Sequence, residues 1–89
     1  MNFGIISNKD KDKDYSFARH AAALIRERGS IASIDDGYEG TPLGSDPNVT
    51  KAGYDNCDLL FSIGGDGSFL AAVHHHYAKD IPIIGINLG

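Results

Sequence analysis

With 89 residues, 42% of them hydrophobic and 22% charged, the chain has material for one small globular domain, and at this length folding buries only about 60 to 70% of the unfolded surface. Twelve acidic against eight basic residues give a formal net charge of −4, and the cations are scattered, so the chain lacks the basic field that a nucleic-acid partner requires. No apolar run approaches the roughly 20 residues of a bilayer span, no leader-like apolar segment opens the chain, and the single cysteine has no disulfide partner; a soluble, cytoplasmic protein without membrane or nucleic-acid contacts is expected.

The first element is Phe3-Gly4-Ile5-Ile6-Ser7, short and mostly apolar, which is the pattern of a buried parallel strand. A polar loop from Asn8 to Asp14 follows, where alternating Lys and Asp make a solvated segment of mixed charge and Asp14 is placed to cap the next helix. Asp10, Asp12 and Asp14 do not read as a calcium loop, because the interleaved lysines oppose a cation and no later bidentate acid completes the set. From Tyr15 to Arg28, the positions Phe17, Ala21, Leu24 and Ile25 follow helical spacing and predict a helix that buries that face, ended by Gly29. Ile31 to Ile34 is a weak second strand. Asp35 to Asn56 is rich in Gly, Asp, Pro, Asn and Ser and reads as a long functional or disordered loop, with a turn of helix around Val49 to Tyr54.

Cys57 to Ile63 is the predicted central strand, Ser68 to Tyr77 the helix after it, and Ile81 to Ile86 the last strand; Cys57 itself reads as a small buried hydrophobe. Two β-α-β units in series imply an α/β, Rossmann-like parallel sheet of about four strands with right-handed crossovers and helices on its faces. Ligands in such sheets collect beyond the carboxyl ends of the strands. Ser7, the Gly64 to Gly67 turn and Asn87-Leu88-Gly89 are therefore expected to face one crevice.

The most specific segment is Gly64-Gly65-Asp66-Gly67-Ser68, which joins an apolar strand to a helix. Backbone bare of Cβ atoms approaches an anion closely, several N–H groups can converge on one phosphate, and the helix adds its positive end. A carboxylate is the wrong group for binding phosphate, so Asp66 points to proton abstraction or metal binding. Plainer roles exist: a helix cap for Asp66, a first-turn helix residue for Ser68, a turn residue for Asn87. The three glycines flanking Asp66 after a buried strand weigh toward chemistry there. His74-His75-His76 points its side chains about 100° apart on a helix, whereas chelation needs an i, i+4 pair, so solvated or packed histidines are expected, one of them at most reaching a nucleotide phosphate. Tyr38 and Tyr54 are able to stack on an adenine, but nothing in the sequence selects them.

The turn is neither a Walker loop nor the G-x-G-x-x-G fingerprint. Gly64-Gly65-Asp66-Gly67-Ser68 departs from G-G-D-G-T only by Ser for Thr; with Phe69-Leu70 after it and Gly85-Ile86-Asn87-Leu88-Gly89 similar to a strand ending in G-x-N-x-G, it resembles the NAD kinase family. The likeness covers residues 1–89 as that family's N-terminal α/β domain. It implies phosphoryl transfer from ATP, or from polyphosphate, to the adenosine ribose 2′-hydroxyl of NAD, giving NADP, with Mg2+ or another divalent cation accompanying ATP. It also implies that Asp66 is proton acceptor and NAD contact, that Gly67 is its backbone neighbour at the dinucleotide, that Gly64, Gly65 and Ser68 lie on the phosphate-binding turn, and that Asn87 is a ligand contact or makes a structural hydrogen bond in its loop. No residue falls on a metal ligand. In the family a β-rich C-terminal domain with an Asn-Glu pair follows, absent from these 89 residues; the chain is expected to be a fragment holding half an active site, without turnover alone, of a homo-oligomeric protein. A lipid kinase of the diacylglycerol or sphingosine type, which shares the G-G-D-G turn, and a noncatalytic nucleotide-binding module remain alternatives. The second motif and the lack of an apolar membrane-binding stretch favour NAD.

Overall fold

The computed structural model describes residues 1–76 and 80–88. Five strands, β1 (Asn2–Ser7), β2 (Ile31–Ser33), β3 (Val49–Thr50), β4 (Leu59–Gly64) and β5 (Ile83–Asn87), form one sheet in the order β3-β2-β1-β4-β5. Every pairing is parallel. The chain is thus an α/β domain of the Rossmann-like kind, with helices α1 (Ser16–Glu27) and α2 (Asp66–His76) as crossovers. Because β2 lies on one side of β1 and β4 on the other, strand order reverses between β1 and β4, and a crevice opens beyond their carboxyl ends.

Side-chain alternation along β1 and β4 divides the core between the two faces of the sheet. Ile5 and Ile63 pack with Ala18 and Ala22 of α1, and with Ala32, Ile34 and Leu43, all fully buried. Leu60 packs on the other face with Tyr54 and Cys57, against Ile6 and Ile83.

Several local expectations are corrected. The buried stripe of α1 is Ala18 and Ala22, with Ile25 beside it, while Phe17 and Leu24 stay 41% and 40% exposed. Small alanines let the helix axis approach the sheet, and the larger side chains turn to the rim. Val49 and Thr50 do not form a helical turn; they pair with Ala32 and Ser33 as an edge strand, which makes the sheet one strand wider than four. The 35–56 segment around it is not disordered, since Leu43 is fully buried and the Tyr54 hydroxyl donates to the Ile5 carbonyl at 2.7 Å. α2 begins at Asp66, two residues earlier than expected, and its predicted end at Tyr77 lies outside the described residues.

The cap of α1 is not Asp14. Asp14 and Tyr15 both have left-handed backbone (φ 54° and 55°) as the chain turns into the helix, a conformation that costs L-residues roughly 1 to 2 kcal/mol each. Asp12, 2% exposed, takes the capping role: Phe17 N donates to its Oδ1 at 2.8 Å, and Ala18 N and the Ser7 hydroxyl donate to its Oδ2 at 3.0 and 2.8 Å. One carboxylate thereby ties the end of β1 to the start of α1 and offsets the strained turn.

Candidate active site

β4 delivers Gly64 to the carboxyl edge of the sheet in register with Asn87 of β5, and the Leu88 N–H closes the pair by donating to the Gly64 carbonyl at 2.7 Å. On the other side, the Asn8 N–H donates to the Ile63 carbonyl at 3.0 Å. The ends of β1, β4 and β5 are therefore fixed side by side. Gly64 has φ of 155°, a region that side chains rarely adopt, and a Cβ there would stand 2.9 Å from the Ser68 hydroxyl oxygen and 3.0 Å from the Asn8 Cβ. Only glycine permits that closeness. The gap it leaves brings the Asn8 amide to the Ser68 hydroxyl at 2.7 Å, with Asn8 Nδ2 donating. Ser68 keeps its own hydroxyl proton for another acceptor.

Gly65 caps α2, its carbonyl accepting from the Phe69 N–H at 3.1 Å, and Asp66 is the first helical residue. The N–H groups of the first helical turn have no intrahelical partner and face outward with the positive end of the helix. A Cβ on Gly67 would meet nothing within 4 Å, so the space above the turn is open. The Asp66 side chain is exposed, and among the described residues it takes part in no hydrogen bond or ion pair. It does not cap its helix.

Two cavities meet at this carboxylate. One, of about 600 Å³, is walled by Gly65, Asp66, Gly67 and Ser68 of the turn, by Asn87, and by Asn8 and Lys11 from the loop after β1. The other, of about 250 Å³, lies between Asp66, Phe69, Gly85 and Asn87. Gly85 belongs here for a packing reason, since a Cβ on it would come within 2.7 Å of the Phe69 ring. Of the residues singled out from sequence, Gly65, Asp66, Gly67, Ser68 and Asn87 surround one space, Gly64 shapes it from below, and Gly89 lies outside the described residues.

Asn8 and Lys11 were not legible as site residues: both sit in a segment that reads as solvated charge. Asn8 replaces Ser7 as the first strand's contribution to the turn, and Lys11 is the cation of the larger cavity, its Cε 3.7 Å from where a Gly65 Cβ would be. The only available signal was position, directly after a strand at the carboxyl edge of a parallel sheet. Among the described residues no group of three or more His, Cys, Asp or Glu is arranged to hold a metal ion, and the side chain of His76 lies outside the description. Tyr38 and Tyr54 are held by main-chain bonds, and burial pushes both phenols above their usual range. Burial likewise raises the Cys57 thiol, which suits a packed and unreactive side chain. Among the described residues no helix is long and apolar enough to cross a membrane.

Residues 3–89 match the family model of the ATP-NAD kinase N-terminal domain. The NAD kinase of Chlorobium chlorochromatii is 37% identical over 90 aligned positions that cover 100% of this chain and 30% of the relative. That of Pyrococcus abyssi is 33% identical, with 100% and 32% covered, and that of Ruminiclostridium cellulolyticum 33% identical, with 97% and 30% covered. The chain thus spans about a third of the length of the curated relatives it matches.

Proposed function

The chain belongs to the ATP-NAD kinase family as its N-terminal domain, and from that membership we propose that it supplies the phosphate turn and the proton acceptor of a phosphotransferase that makes NADP from NAD. The donor is ATP or polyphosphate, and the acceptor is the adenosine ribose 2′-hydroxyl. The observation that carries this reading is the placement of Asp66, an exposed carboxylate between bare glycine backbone on both sides, at the border of two cavities.

The acceptor hydroxyl lies in the smaller cavity and gives its proton to Asp66 as its oxygen bonds to the terminal phosphorus. The bridging oxygen of the donor leaves with its electron pair. The turn's N–H groups, the Ser68 hydroxyl and Lys11 hold the phosphoryl oxygens, so this domain contributes mainly position and charge compensation, which dominate phosphoryl transfer. Asn87, paired to Gly64, fixes the acceptor side of the crevice. A divalent cation, if bound, would supply further charge neutralisation; with one carboxylate, Asp66, at the turn, phosphate and water would have to hold most of such an ion.

The relatives are about three times as long, and the chain alone, with both cavities open, is expected to show no turnover. The test is incubation of a full-length family enzyme carrying this domain with ATP and NAD, with product detected by an NADP-specific dehydrogenase. NADP formation supports the reading. ATP consumption without NADP, or labelled phosphate appearing on a diacylglycerol or sphingosine substrate, overturns it.

A further inference from the structure

Asn8 follows β1 directly, and each of its polar groups has a fixed partner. Its main-chain N–H donates to the Ile63 carbonyl at 3.0 Å, and its carbonyl accepts from the Lys11 and Asp12 N–H groups at 3.1 and 2.8 Å. In the side chain, Oδ1 accepts from the Asp10 N–H at 2.8 Å and Nδ2 donates to the Ser68 hydroxyl oxygen at 2.7 Å. The first of these two bonds sets the direction of the second. A main-chain N–H is a donor only, so the amide oxygen has to face Asp10; a flipped amide would oppose two donors there.

Ser68 is thereby an acceptor toward Asn8, and its own proton turns elsewhere. A serine in a helix can return its hydroxyl proton to the carbonyl four residues earlier. Here that carbonyl belongs to Gly64 and accepts from the Leu88 N–H at 2.7 Å. Among the described residues the Ser68 hydroxyl donates to no acceptor. Both Asn8 and Ser68 line the cavity of about 600 Å³, and neither lines the one of about 250 Å³.

We infer that Asn8 is a positioning residue for phosphoryl transfer: by donating to Ser68, it aims the Ser68 hydroxyl proton into the larger cavity, at an oxygen of the transferred phosphoryl group. The inference rests on the phosphotransferase reading and deepens it. In the transfer step the acceptor oxygen bonds to terminal phosphorus, the acceptor proton goes to Asp66, and the bond from phosphorus to the bridging oxygen breaks with its electron pair on the leaving group. The Ser68 proton stays on Ser68 and only shares a hydrogen bond. A free hydroxyl can face an anion with its lone pairs as readily as with its proton. Asn8 removes the repulsive orientation in advance, so the dipole needs no reorganisation when charge develops on the phosphoryl oxygens.

The test is Asn8→Asp in a full-length family enzyme carrying this domain. The substitution keeps an oxygen for the Asp10 N–H and keeps a bond to Ser68, but reverses it: the hydroxyl donates to the carboxylate and turns its lone pairs to the phosphate. NADP formation from ATP and NAD should fall by about 10- to 100-fold in kcat, the size of one hydrogen bond to a charged group. KM for NAD should change little, because the acceptor hydroxyl is placed in the cavity that neither residue lines. Asn8→Ala, which removes the bond and leaves the hydroxyl free to rotate, should retain more activity than Asn8→Asp. A structural tether alone gives the opposite order, since Asn8→Asp keeps the tether and Asn8→Ala does not. The added negative charge is separated by a Ser68→Ala background, where Asn8→Asp should cost about fivefold less than it does with the hydroxyl present. Should Asn8→Asp melt below the assay temperature, the cycle of Asn8→Ala with Ser68→Ala decides, coupled rate losses supporting the inference and additive ones overturning it. Asn8→Asp within a few-fold of the parent, Asn8→Ala the less active of the two, or equal losses from Asn8→Asp with and without the hydroxyl overturns this inference alone. A parent enzyme that forms no NADP ends the phosphotransferase reading, and this inference falls with it.

Discussion

Replacing Asp66 by Asn separates chemistry from structure at the one residue on which the proposed reaction depends. The substitution preserves shape and removes only the charge and the basic oxygen. On the structural side the loss is small, because Gly65 rather than Asp66 caps α2 and the Asp66 side chain bonds to no described donor. What remains is the interaction of a carboxylate with the helix N-terminus, about 0.3 to 1 kcal/mol, or a melting shift of a few degrees for a domain of this size. On the chemical side a positioned general base contributes about 10² to 10⁴ in rate, equivalent to roughly 3 to 5 kcal/mol of barrier. In a full-length family enzyme carrying this domain, NADP formation should therefore fall by about 10² to 10⁴ in kcat, with KM for NAD changed far less and the melting temperature nearly kept. An Asp66→Asn enzyme that works within a few-fold of the parent would refute the assignment and leave Asp66 as a surface residue. So would a rate loss that tracks a collapse in stability.

Asp12→Ala removes three hydrogen bonds from a buried carboxylate and leaves the left-handed turn at Asp14 and Tyr15 unsupported; a loss of about 2 to 4 kcal/mol in urea unfolding is expected. Gly64→Ala drives a methyl group against Ser68 and Asn8 at a φ that side chains avoid, so stability should drop by about 1 to 3 kcal/mol and tripolyphosphate affinity should weaken, both measured on the same purified variant. Asp46 is held below the usual carboxylate range: burial raises it, but hydrogen bonds from Asn48 N (2.8 Å) and Arg19 Nε (3.0 Å) outweigh that. A depressed folded-state value means the stabilisation is complete above the unfolded carboxyl pKa near 4 and is lost as pH falls through the lower folded value. With Arg19 44% exposed, Arg19→Gln should cost under about 1 kcal/mol at pH 7, and the gap to the parent should close in unfolding curves taken below about pH 4.

The legible features of this fold are those carried by contiguous residues. The strand Leu59–Gly64, the glycine turn and the helix after it announce themselves by apolar run, breaker and restart. What the sequence conceals depends on partners far along the chain. Asn8 gains its meaning from Ser68, 60 positions away, and Asp12 from the return of the chain at Phe17 and Ala18. Helical periodicity located α1 but rotated its buried face, because a pattern of apolar residues does not register that alanine is the side chain a closely packed helix needs. β3 is two residues long, too short for any period to show.

On the proposed reading, charge limits how much of the reaction this domain can perform by itself. A nucleoside triphosphate brings several negative charges to a chain whose own net charge is −4. Against these the phosphate cavity sets, among the described residues, Lys11 and the roughly half unit charge of one helix terminus. Asp66 adds a further negative charge at the same place. On the proposed reading, that balance turns toward binding as more positive charge arrives, as with a divalent cation accompanying the donor. On the proposed reading, a domain that supplies a carboxylate and a phosphate turn with so little positive charge would stay idle until donor, cation and acceptor are assembled.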